Sequence, residues 1–73
     1  MIHFDEKRAG SRIKELREEM GLTQKQLADK IGIARNTITQ YELGIASMSV
    51  RVLTLLIQTL DTTAEYLLGL TDI

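Results

Sequence analysis

The 73-residue sequence has no cysteine, no proline and no tryptophan, and its one histidine is His3. Without cysteine, neither a disulfide nor a thiolate metal site is available to staple so short a chain. A lone histidine beside the N-terminus excludes a zinc finger and a histidine-based catalytic triad, and no metal or cofactor is expected. The absence of proline, with aromatics at only 4%, disfavours a turn-rich β-barrel or sandwich. No stretch approaches the ~20 apolar residues of a transmembrane helix. Asp5 and Glu6 stand where a secretion signal needs bases followed by an apolar run. These absences point to a reduced, cytoplasmic, all-α domain with no membrane partner.

What is present is ordinary for a globular domain, at 44% hydrophobic and 26% charged residues. The length allows one domain, residues 1–73, whose small core depends on efficient helix packing or a partner. The net charge is −1, where nucleic-acid binders usually carry a basic footprint. Residues 1–44 carry +1 and residues 45–73 carry −2, an asymmetry too mild to decide anything.

Hydrophobic spacing and cap residues predict five helices. The first runs from about Glu6 to Met20, capped by Asp5, with Ala9, Ile13, Leu16 and Met20 in one stripe and Gly21 as its stop. Gly10 is expected to weaken it locally by ~1 kcal/mol relative to alanine. Thr23-Gln24-Lys25-Gln26 fits a capping box opening a short second helix that ends at Gly32. The third runs from about Arg35 to Leu43 and lacks a good cap, because Ala34 has no side-chain acceptor. Ile45 to Met48 form a connector, and Ser49 caps a fourth helix from Val50 to about Leu60. A fifth follows Thr63 and ends near Leu68, and residues Leu70 to Ile73 are expected to fray or run extended.

The informative stretch is 23–44: two short helices separated by a glycine turn. Ala28 stands where the helices cross closely, Gly32 where the turn needs positive φ, and Ile38 where the second helix packs back. Leu27, Ile31, Ile33 and Tyr41 fill the remaining inward positions. This is a helix-turn-helix, whose second helix is built to enter a DNA major groove.

The runs RIKELREEMGLTQKQLADKIGIARNTITQYELG and YLLGLTD resemble the phage-repressor/Cro-type (XRE-like) helix-turn-helix regulators over roughly residues 10–71. The resemblance implies a compact five-helix bundle of the lambda-repressor-like kind, with a recognition helix at about 35–43. It also implies a homodimer on a pseudo-palindromic double-stranded DNA operator. Polar side chains on the exposed face of that helix are candidates to read bases: Arg35, Asn36, Thr39 and Gln40. Arginine suits the O6/N7 edge of guanine, and asparagine or glutamine the N6/N7 edge of adenine. Thr23, Gln24, Thr37, Arg12 and Lys25 are candidates for DNA phosphates, with Gln24 at the start of the second helix, where free N–H groups favour an anion. For Thr23, capping alone is the stronger reading. The resemblance implies a structural ion pair between Arg17 and Glu42.

The connector Ile45-Ala46-Ser47-Met48 lacks the basic residues and proline common in the family, which removes one source of phosphate contacts. On the fourth helix Val50, Leu53, Leu56, Ile57 and Leu60 are expected to face the core. Val52 and Leu55 then fall off that face. With Tyr66, Leu70 and Ile73 they form a candidate dimer surface, set against the commoner role of Tyr66 as a core cover.

The leading expectation is a sequence-specific DNA-binding transcriptional regulator, a repressor that occupies an operator. The alternative is an antitoxin-like or anti-repressor interaction module using the helix-turn-helix as scaffold. No nucleophile–base pair, metal set or glycine-rich phosphate loop suggests an enzyme, and no small-molecule ligand is expected.

Overall fold

The computed structural model describes residues 5–72, so His3 and Ile73 lie outside the described residues. Five α-helices follow one another: α1 (Glu6–Glu19), α2 (Gln24–Ile31), α3 (Arg35–Leu43), α4 (Val50–Thr59) and α5 (Ala64–Leu67). Local chemistry sets their ends. Asp5, Thr23, Ser49 and Thr63 each accept a backbone N–H from the first turn of the helix they precede. Thr23 and Gln26 complete a reciprocal capping box. Only α3 starts without a side-chain cap, after Ala34. Gly32 and Gly44 close α2 and α3 in the left-handed region, at φ 75° and 73°. Asp61 does the same beyond α4 at φ 52°. Aspartate is among the few non-glycine residues that tolerate this conformation.

Each helix sends one large side chain to the centre: Ile13, Leu27, Ile38, Leu56 and Leu67 are fully buried. Ala28, Ile31, Tyr41 and Leu60 complete the core, and Leu16, Leu22 and Ile33 pack around it. α3 lies chiefly against α1 and α2, while α4 and α5 close the remaining sides.

Four expectations are corrected. Met20 is not part of the inward stripe. It follows the last residue of α1, just before the chain reverses at Gly21, and is 49% exposed. Val50, placed on the core face, is 81% exposed, whereas Val52 and Leu55 pack partly against the core. The buried arc of α4 centres on Leu56. At 100° per residue Val52 is about 40° from it and Val50 about 120° away. Of the two alternatives for the chain's end, fraying is the one corrected: Leu70 N–H reaches the Glu65 carbonyl at 2.9 Å, and Arg8 and Arg12 hold Asp72 at 3.1 and 3.4 Å.

The fourth correction concerns Gly10. Rather than merely weakening α1, it lets α1 and α3 touch. A Cβ there would lie 2.7 Å from the Glu42 carbonyl oxygen and closer still to that of Tyr41. Gly44 meets α1 in the same way from the other side, where a Cβ would lie 2.6 Å from Lys7 Cα. In an ordinary helix interior, glycine to alanine stabilises by about 1 kcal/mol. Here Gly10→Ala should destabilise by roughly 1–3 kcal/mol, because two backbones must separate. Urea denaturation checks the sign, and a raised midpoint would refute the close approach.

Candidate nucleic-acid interface

The inward face of α3 is fixed by Ile38, Tyr41 and Glu42, all buried. Arg35 and Asn36 at its start are exposed, and Gln40 one turn on is half-buried. No hydrogen bond or ion pair within the described residues uses the side chains of these three. Their donors and acceptors are available to something outside the fold. Thr39 shares the face with Arg35 but turns its hydroxyl inward, donating to Gln24 Oε1 at 2.9 Å.

Behind the face sits a buried ion pair. Arg17 Nε donates to Glu42 Oε2 at 2.6 Å and Arg17 Nη2 to Glu42 Oε1 at 3.0 Å. The third guanidinium nitrogen donates to the Leu22 carbonyl at 2.7 Å, just before α2. Gln24 Nε2 adds a further donor to Glu42 Oε1 at 3.0 Å. Among the described residues, no buried side-chain nitrogen or oxygen lacks a hydrogen-bond partner. The hydrogen bond to Glu42 raises the Arg17 pKa against the opposing effect of burial, with smaller support from the charges of Glu42 and Glu18. Because the folded value is raised, the contribution of Arg17 is fully present below the guanidinium's ordinary range and fades as pH rises through the guanidinium's own titration.

Of the residues expected at phosphates, Thr23, Gln24 and Lys25 stand together at the start of α2. Thr23 Oγ1 is occupied in capping Gln26. The Gln24 amide is committed to Glu42 and Thr39, which leaves its backbone N–H at the start of α2. Lys25 is exposed and pairs with Asp29 at 3.1 Å, an i,i+4 contact worth little in water. Thr37 is half-buried near the start of α3.

Arg12, expected beside the DNA backbone, is buried against α5 instead. Its Nη1 donates to the carbonyls of Tyr66 and Thr71, and its guanidinium stacks 4.2 Å from the centroid of the Tyr66 ring. Arginine is usually exposed, and no local signal names carbonyls so far along the chain. The Gln24–Thr39 bond is likewise invisible in the sequence. Gly10 did carry a signal, since an isolated glycine within a helix often marks a close approach.

On the proposed dimer surface, Val52, Leu55 and Tyr66 are half-buried, and Leu70 is 60% exposed. No helix among the described residues is long and apolar enough to cross a membrane.

The helix-turn-helix family model matches residues 13–67. The chain is 39% identical over 61 residues to the HTH-type transcriptional regulator YobD of Bacillus subtilis, covering 84% of this chain and 54% of that protein. It spans about half the length of the curated relatives it matches. Among solved structures it is similar to the restriction-modification controller protein C.AhdI from Aeromonas hydrophila. The TM-score there is 0.80 at 31% identity, over 89% of this chain and 98% of that one. A point mutant of the controller protein C.Esp1396I gives a TM-score of 0.77 at 26% identity, over 96% of this chain and 89% of that one.

The buried pair yields a direct test. Glu42→Ala leaves Arg17 buried without its carboxylate and should cost about 3–5 kcal/mol. That is a large part of the roughly 5–15 kcal/mol stability of a typical domain. Thermal denaturation reads the loss, and an unchanged melting temperature would show that the pair does not hold the fold.

Proposed function

This chain belongs to the helix-turn-helix family of DNA-binding transcriptional regulators, and we propose that it is a repressor that binds a pseudo-palindromic operator as a homodimer. The observation that carries this reading is the set of unpartnered polar side chains on α3, Arg35, Asn36 and Gln40, held on a helix whose other face is locked into the core. Arg35 offers a bidentate donor fork for guanine, and Asn36 and Gln40 an amide edge for adenine. Backbone N–H groups at the start of α2, with Lys25 and Thr37, supply the phosphate contacts that set register. Repression follows from occupancy: a protein seated on the operator excludes polymerase without chemistry of its own. Its place of work is the cytoplasm.

One copy brings no net positive charge to the DNA, since its net charge is −1. Two copies double the base-reading surface, and Val52, Leu55, Tyr66 and Leu70 supply the apolar contact between them.

The DNA upstream of the protein's own gene is the first probe, titrated by gel shift at several salt concentrations. Arg35→Ala and Gln40→Ala should each weaken specific binding by roughly 5- to 150-fold for each half-site that loses its contact, at about 1–3 kcal/mol per bidentate base contact. They should leave the melting temperature in place. No binding even at low salt would refute the reading and favour an interaction module built on the same scaffold.

The homodimer is tested by sedimentation at micromolar protein. Leu70→Glu is the cleaner variant, because Leu55 also packs against the core. It should shift the dimer towards monomer, and a wild type that stays monomeric even on DNA would overturn the proposal.

A further inference from the structure

A chain of hydrogen bonds runs from the buried ion pair to the recognition helix, and its polarity is fixed at every step. Glu42 meets the Arg17 guanidinium as a carboxylate, so it only accepts. The Gln24 group facing it at 3.0 Å must therefore be the amide nitrogen, because an amide oxygen there would meet a negative charge. That orientation turns Gln24 Oε1 towards Thr39, and a carbonyl oxygen also only accepts. The single hydroxyl proton of Thr39 must then point inward, donating to Gln24 Oε1 at 2.9 Å. The other partner of that hydroxyl among the described residues is the Arg35 carbonyl at 3.3 Å, again an acceptor. Thr39, which is half-buried, thus keeps free oxygen lone pairs but has no proton to give.

We infer that Gln24 is a positioning residue that makes Thr39 an acceptor towards bound DNA, selecting an exocyclic amine, adenine N6 or cytosine N4. The inference rests on the reading of α3 as the helix that reads bases. In the major groove these amines are the only base-edge donors, while guanine O6, thymine O4 and purine N7 are acceptors. An acceptor held at Thr39 rewards an amine and rejects a carbonyl at the same place. Gln24 then acts without touching DNA through its side chain.

The test uses the full chain and duplexes that the wild-type protein selects from a randomised library. In the selected site, each adenine is replaced by purine, or each cytosine by pyrimidin-2-one, which deletes the amine alone. At one position the wild type and Thr39→Ser should bind the amine-deleted duplex about five-fold more weakly, the scale of one net hydrogen bond. Thr39→Val should bind both duplexes alike, beyond any effect common to all variants. Gln24→Met removes the nearer internal acceptor and lets the hydroxyl rotate outward, so its discrimination should fall to less than two-fold. A general softening of the fold would weaken both duplexes equally and leave this ratio unmoved.

The inference is overturned if Thr39→Val couples to a guanine or thymine carbonyl, or to no base, or if Gln24→Met keeps the full ratio. Failure of the wild type to enrich any sequence is a different result. It removes the base-reading function itself and this inference with it.

Discussion

Two opposite charges taken out of water between α1 and α3 set the geometry of this domain. Arg17 and Glu42 are both more than nine-tenths buried. Desolvating such a pair is costly, and mutual attraction offsets that cost only where the geometry is good and the remaining donors and acceptors are satisfied. Here two parallel hydrogen bonds join the fork to the carboxylate, the Leu22 carbonyl takes a third donor, and Gln24 fills a further site on Glu42. The consequence is directional. Apolar packing accepts a range of helix angles, whereas these bonds demand one. Through them α1, the turn before α2, α2 itself and α3 are tied at a single point behind the exposed face of α3.

α1 is the spine on which α3 and α5 are placed. Near its start Lys7 touches Gly44, and Gly10 admits the backbone of α3. Arg12 then reaches α5 and the following residues, Ile13 enters the core, and Arg17 closes on Glu42. The side chains that secure α3 and those that secure the C-terminal part thus alternate along one helix. A domain this small has little apolar area to bury. Close backbone contact through glycine and arginines shared with distant carbonyls supply part of the rigidity that a larger core would give.

Much of this was legible because it is local. A cap reads a residue two or three positions away, a glycine stop reads its own φ, and an apolar stripe reads one helical turn. The number of helices, their order and most of their ends follow from such rules. The core of the 23–44 motif was legible for the same reason, and so was the polar face of α3. What escaped spans long separations. Arg12 looks like a surface cation until α5 brings the Tyr66 and Thr71 carbonyls to it. Val50 and Val52 exchange roles because α4 carries apolar residues around most of its circumference, so periodicity alone does not fix which face turns inward. Gln24 was placed correctly at a helix start, but its side chain follows the dictates of Glu42, eighteen positions away.

The charge of the chain takes on a different meaning once its cations are located. Of nine lysines and arginines, Arg12 and Arg17 are held inside the fold, and Arg8 and Lys25 pair with neighbouring acids. Five remain, of which Arg35 lies on the polar face of α3, so Lys7, Lys14, Lys30 and Arg51 are the cations left without an ion pair among the described residues. The sequence-independent part of protein–DNA affinity scales with the phosphates neutralised. A domain with few such contacts gains little from random DNA, where competing sites are most numerous. What matters for a regulator is the ratio of specific to non-specific binding rather than affinity alone. In the proposed regulator, a small polar face on α3 would raise the numerator of that ratio, and the absence of net positive charge would hold down the denominator. For the proposed base-reading face, selectivity then depends on rigidity rather than on charge, and the buried pair behind α3 supplies that rigidity.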